Sequence, residues 1–244
     1  LAQSSGMSWV FDGRLIALCK PGDREELRRL RPIGMGSILL RVIGTVAARQ
    51  FASSLGQEFD PAATAEESAE DVWRHLQAGV GLRGGTHQVQ STLREMLTEH
   101  PSWVVMKIDA KNAFNTCRRT EFFDRVLERC PSLFPWVRAC YGAPTRRFVR
   151  LEDGSFEVVW STSGTTQGDP LGPALFAFSM LSLAEELAAR VRAGVLFYLD
   201  DGHVCGPPEE VAHFARQLVD QDGDHDMQRR TGCEIEVDKC CVWG

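Results

Sequence analysis

No apolar stretch in this chain approaches the ~20 residues that a membrane-spanning helix requires, so no such helix is expected. The eight cysteines include no C-x₂-C pair, which removes the usual zinc-ligand spacings. They are expected instead as reduced core thiols. The six histidines show no H-E-x-x-H or other ligand spacing. There is no internal repeat and no low-complexity linker. The chain begins with Leu1 and carries no signal-peptide pattern, so it is expected to be an internal piece of a longer intracellular product, nuclear or cytoplasmic. A net positive charge is missing too: the balance is −6. That argues mildly against nucleic-acid binding, but distribution matters more than the sum. Residues 1–50 hold eight Lys/Arg against four Asp/Glu, and Arg138, Arg146, Arg147 and Arg150 form a second basic stretch. Acid concentrates in residues 58–71 and 220–226.

What is present is the material of a soluble core: 43% hydrophobic and 25% charged residues in 244, enough for one large domain or two lobes. Apolar periodicity predicts helices over 38–51, 86–97, 120–130 (with Thr120 as a cap), 134–141, 170–192 and 207–229. Residues 60–76 are expected as an acidic loop followed by a helix. Strands are expected at 15–19 and 103–108, and at 148–151 and 156–160 around Asp153-Gly154. A second hairpin is expected at 195–199 and 203–205, and a final pair at 233–237 and 241–243.

Chemistry concentrates at the ends of these strands. The apolar run Val104-Val105-Met106-Lys107-Ile108 delivers Asp109 into a turn and a helix. Standing alone, Asp109 reads equally well as a helix cap. Phe197-Tyr198-Leu199-Asp200-Asp201-Gly202 sets two carboxylates side by side at a hairpin tip, where their repulsion is relieved by a cation. Between them lies Gln167-Gly168-Asp169-Pro170. Its glycine permits close backbone approach and its glutamine amide can bond a sugar or base, although Asp169 as N-cap and Pro170 at N1 also suit an ordinary helix start. Two lookalikes carry less. Residues 79–84 match G-x-G-x-x-G but follow helix-like sequence, and the aspartates of 220–226 lack the glycine and glutamate positions of a calcium loop.

Taken together and in this order, the motifs resemble the reverse transcriptase domain of non-LTR retrotransposons and related retroelements, over residues 15–244. Lys20 and Arg31-Pro32-Ile33 resemble the family's finger motifs, and residues 77–86 the segment just upstream of the palm. Residues 109–115, 163–176 and 198–201 resemble its first three palm motifs, and 232–239 the fourth. Glu236 departs from the pattern, standing where many relatives carry Asn. The resemblance implies an α+β fold, a right-hand polymerase's fingers (1–102 and 118–165) and palm (103–117 and 166–244). It implies an antiparallel palm sheet with helices packed on one face, and a thumb lying beyond the chain.

It also implies roles. Asp109, Asp200 and the carbonyl of Ala110 would hold two Mg²⁺, with Mn²⁺ as an alternative ion, and Asp201 would support the site. Lys20 and Arg31 would grip the incoming triphosphate. Phe114 would lie under the sugar and exclude a 2′-hydroxyl. Gln167 and Gly168 would pack against nucleotide and template, and Lys239 would approach the leaving pyrophosphate as proton donor. RNA template, DNA primer and dNTPs are the implied partners, without a membrane, in a retroelement polyprotein. Two rival readings remain at this level: a non-catalytic nucleic-acid-binding relic, and another two-metal enzyme with a palm-like sheet, such as a nucleotide cyclase.

Overall fold

The computed structural model describes residues 8–19, 30–59, 75–80, 84–188, 194–220, 222–224 and 226–244. Lys20 and residues 60–74 therefore lie outside the described residues, and of Arg31 only the backbone is described. In chain order the elements are β1 (Gly13–Cys19), β2 (Leu30–Gly36), α1 (Ile38–Phe59), β3 (His75–Gln77), α2 (Gly85–Glu99), β4 (Val104–Ile108), β5 (Ala110–Lys111), α3 (Ala113–Thr116), α4 (Arg119–Arg129), α5 (Phe134–Tyr141), β6 (Thr145–Arg150) and β7 (Phe156–Ser161). There follow α6 (Gly172–Ala188), β8 (Gly194–Tyr198), β9 (Asp201–Gly206), α7 (Pro208–Val219), α8 (Met227–Thr231), β10 (Glu234–Ile235) and β11 (Cys241–Trp243).

The architecture is α+β, as expected. One sheet runs β11-β4-β9-β8-β3 and a second runs β2-β1-β6-β7. The first is antiparallel except at its edge, where β3 lies parallel to β8. Residues 75–77 thus add a strand where the sequence suggests the end of a helix, and they join the sheet that holds the carboxylates. Helices cover both faces of this sheet, not one. Met106, Ile108, Phe197 and Val204 pack with Phe176 and Met180 of α6 and Phe214 of α7. Val105, Leu196 and Cys205 pack with Val89 and Met96 of α2. The reason is in the strands: β4 and β8 are apolar at successive positions, and such strands need cover on each side. α6 is apolar nearly all round and is the central helix, with Phe122, Val126 and Leu133 closing over its far side.

Three further expectations change. The helix expected over 207–229 is two, because Asp226 accepts a 2.6 Å hydrogen bond from Arg229 N and caps a new helix. Thr120 is not a cap. Arg118 holds that position in extended conformation, and its N–H goes to Thr231 O. The two C-terminal strands do not pair with each other, since β10 joins β5 and β11 joins β4. Cys117, Cys130, Cys140, Cys205, Cys233, Cys240 and Cys241 are free thiols; burial pushes Cys117 up to about 12 and Cys205 up to about 11.

Candidate active site

The β4–β9 register pairs Lys107 with His203 and Ile108 with Gly202. Asp109, one residue past β4, therefore arrives beside the β8–β9 turn that carries Asp200 and Asp201. Two cations accompany these carboxylates. Lys107 Nζ stands 3.2 Å from Asp201 Oδ1, and the hydrogen bond and charge of Asp201, with a smaller contribution from Asp109, raise the Lys107 pKa. Lys239 Nζ lies 3.8 Å from Asp109 Oδ1 and 2.5 Å from Glu236 Oε2. A short staple brings Lys239 there. Ile235 pairs with Ala110, and Glu236 N donates to Asp109 O at 2.9 Å. Asp109, Ala110, Asp200, Asp201 and Lys239 are thus assembled from three distant segments.

No group of three or more His, Cys, Asp or Glu among the described residues stands close enough to hold a metal unaided. The arrangement nonetheless fits Mg²⁺, which keeps several waters and is usually bound through one or two carboxylates plus substrate phosphates. The donors are hard oxygens, and Lys107 and Lys239 balance part of their charge.

The turn itself is tightly specified. Leu199, immediately before Asp200, has φ 56°, a left-handed conformation unusual for leucine. The buried side chain of Gln77 bonds its backbone.

The loop 161–169 is fixed by residues that the sequence reading missed or assigned otherwise. The Arg119 guanidinium donates to Gly164 O (3.1 Å), Tyr141 O (3.1 Å), Ser161 O (3.3 Å), Ser161 Oγ (3.0 Å) and Ser163 O (3.1 Å). Burial lowers its pKa. Tyr141 OH donates to Asp169 Oδ2 and accepts from Thr166 N at 3.2 Å, and Asp169 Oδ1 accepts from Leu171 N at 3.0 Å. Burial raises both the Tyr141 and the Asp169 pKa. Asp169 is therefore a cap, and also the buried anchor of the loop. Gly168 has φ 110°, and a Cβ there would stand 2.7 Å from Gly34 O; Gly34 N in turn donates to Gln167 O at 2.9 Å. β2 thus docks backbone to backbone on the Gln167-Gly168 corner.

Phe114 stacks on Phe176 (centroids 4.5 Å, 20°) and its carbonyl accepts from Thr165 N at 2.6 Å, so one face of its ring belongs to the core. The second basic stretch is less available than its sequence suggests. Arg146 pairs with Asp12 at 2.6 Å, and Arg147 turns inward to Phe11 O (2.9 Å) and Thr166 Oγ1 (3.1 Å). No helix of the described residues is long and apolar enough to cross a membrane.

Known proteins resemble this chain in sequence and in fold. The chain is 27% identical over 192 residues to the retrotransposable element SLACS 132 kDa protein of Trypanosoma brucei gambiense, covering 77% of this chain and 15% of that one. Apo telomerase of Candida tropicalis superposes with a TM-score of 0.68 at 8% identity, over 96% of this chain and 45% of that one. Telomerase of Candida albicans, solved with a fragment of telomeric RNA, superposes with a TM-score of 0.65 at 9% identity, over 96% and 43%. This chain therefore spans about half or less of the relatives it matches. The family model for reverse transcriptase (RNA-dependent DNA polymerase) matches residues 20–243, and the chain belongs to that family.

Proposed function

We propose that this chain is the fingers and palm of an RNA-directed DNA polymerase that extends a primer 3′-hydroxyl with dNTPs, within a retroelement polyprotein. The observation that carries the reading is the meeting of Asp109, at the end of β4, with the Asp200-Asp201 turn, while Lys239 is stapled 3.8 Å from Asp109. The SLACS relative is a retrotransposable element protein, and the Candida albicans telomerase was solved with RNA; both support a nucleic-acid template.

In this reading Asp109, Asp200 and the Ala110 carbonyl hold Mg²⁺ or Mn²⁺. Bound there, the ions lower the pKa of the attacking hydroxyl and neutralise the phosphates. Asp201, neutralised by Lys107, steadies the site without carrying a free charge. Lys239 donates a proton to the leaving pyrophosphate, with Glu236 holding its ammonium. Lys20 and Arg31 take the triphosphate from the finger side, Phe114 lies under the sugar, and Gln167 and Gly168 meet the nascent base pair. The palm comprises residues 103–117 and 166–244 with β3 added to its sheet; the fingers come from the rest of 1–102 and from 118–165. The docking of β2 on Gln167-Gly168 favours a polymerase over a nucleotide cyclase, because it couples the finger strand carrying Arg31 to the template corner.

The test is primer extension on separate RNA and DNA templates with the full-length parent. Asp109→Asn or Asp200→Asn should each remove more than ~10³-fold of activity with the fold intact, as oriented charge neutralisation is lost. Near-parental extension by either variant would end the assignment. An inactive parent that still binds primer–template would mark it as a relic.

A further inference from the structure

One buried polar side chain near the carboxylate turn, Gln77, has no part in the roles given above. Gln77 ends β3, opposite Phe197 in the parallel β3–β8 pair, with Ala78 N donating to Phe197 O at 2.8 Å. It is only 6% exposed. Its Oε1 accepts from Leu199 N at 2.8 Å and from Gly79 N at 3.1 Å, while its Nε2 donates to Leu199 O at 3.3 Å. Two N–H donors converging on one oxygen fix which way the amide points. The side chain therefore grips both backbone groups of a residue 122 positions away in sequence, as a neighbouring strand would.

That residue is the strained one. Leucine at φ 56° lies in the left-handed region that residues with a Cβ rarely adopt, and such a conformation persists only where the surroundings over-determine it. Gly79 supplies the second constraint: a Cβ there would stand 2.6 Å from Leu199 Cγ and 2.7 Å from Leu199 N. Leu199 is thus held by an amide and enclosed by a bare backbone. The peptide that Nε2 holds by its carbonyl is the one leading into Asp200.

We infer that Gln77 is a positioning residue for the reaction centre: by clamping the Leu199 backbone it aims Asp200 at the cation shared with Asp109. This rests on the reading of Asp200 as a metal-holding carboxylate. Only glutamine satisfies the geometry. Asparagine is a methylene short. Glutamate keeps the two accepted bonds but sets a charge against Leu199 O and beside Asp200. Methionine matches the length and makes none of the bonds.

The experiment is a Mn²⁺ titration of the whole chain followed by electron paramagnetic resonance, with thermal melts and primer-extension kinetics alongside. Removing the hydrogen-bonded support of a metal ligand costs ~10–100-fold in affinity. Gln77→Met should therefore shift the Mn²⁺ midpoint up by at least ~10-fold. It should lower kcat and leave the KM for dNTP near its parental value. Gly79→Ala, which displaces Leu199 from the opposite side with Gln77 intact, should shift the midpoint in the same direction. Val89→Ala, a core truncation on α2, should lower the melting temperature and leave the midpoint in place.

An unchanged midpoint in Gln77→Met or, should that variant not fold, in Gly79→Ala overturns the inference. So does an equal shift in Val89→Ala, since general softening would then explain the effect. Asp200→Asn separates the two levels. If it leaves Mn²⁺ binding and extension intact, the reading of the site fails; if it abolishes both while the Gln77 variant behaves as parent, only the positioning role fails.

Discussion

Arg119 offers the sharpest test of how the 161–169 loop is held. Arg119→Met keeps the apolar stem and removes the guanidinium. Five acceptors then lose a donor: the carbonyls of Gly164, Tyr141, Ser161 and Ser163, and Ser161 Oγ. Those of Ser161 and Ser163 lie near solvent and can take water instead, whereas Gly164 and Tyr141 are buried. A buried acceptor left unpaired costs about 1–3 kcal/mol, so two of them cost about 2–6. Against this stands the desolvation of the guanidinium itself, visible as its lowered pKa, which the variant recovers in part. The net expectation is a loss of about 2–4 kcal/mol. Urea denaturation of parent and variant, compared at equal slope, reads it directly. The same variant should raise the KM for dNTP, because the loop carrying Gln167 loses its tether. A stability change under about 0.5 kcal/mol would place Arg119 among indifferent surface residues and refute the reasoning.

Two further outcomes are expected. Phe114→Ala should relax discrimination against ribonucleotides, measured as the ratio of dNTP to rNTP incorporation per folded molecule; an unchanged ratio would assign the ring to the core alone, where it stacks on Phe176. Burial raises the pKa of Asp169, so its contribution to stability is full below the ordinary value of 3.8 and is lost as pH rises through the higher folded-state value. The stability of the parent relative to Asp169→Asn should accordingly grow between about pH 7 and pH 4, read by thermal melts at both; a difference that does not change with pH would mean the carboxyl is solvated.

The carboxylates were legible because each sits where an apolar strand stops, and strand composition is a local signal. Asp109 lies beside Lys239 and Asp201 beside Lys107, and the α+β class follows from the same alternation of runs. What was not legible is held by single polar side chains reaching across the fold. Gln77, Arg119 and Tyr141 leave no periodic trace, because most of their partners, backbone and side chain, lie far away in sequence. Arg147 misled for the complementary reason: in a row of arginines nothing local marks the one that turns inward. The break between α7 and α8 lay in view as an acidic run with a glycine, but an apolar period that resumes on the far side hides a cap. β3 is three residues long, too short to show a period of two.

The pairing of Ile235 with Ala110 and of Glu236 with Asp109 also bears on how the protein is made. Asp109 leaves the ribosome long before Lys239: at ~5–20 residues per second the interval is about 6–26 seconds. Through that time β5 lacks β10 and Asp109 lacks Lys239. The Asp109–Lys239 pair therefore forms only after residues 234–239 are made, from contacts that are nearly all distant in sequence, which makes it among the slowest parts of the fold to form. A nascent chain interrupted before residue 234 would carry Asp109 and the Asp200-Asp201 turn without Lys239, so the Asp109–Lys239 pair is acquired only once that segment has been made.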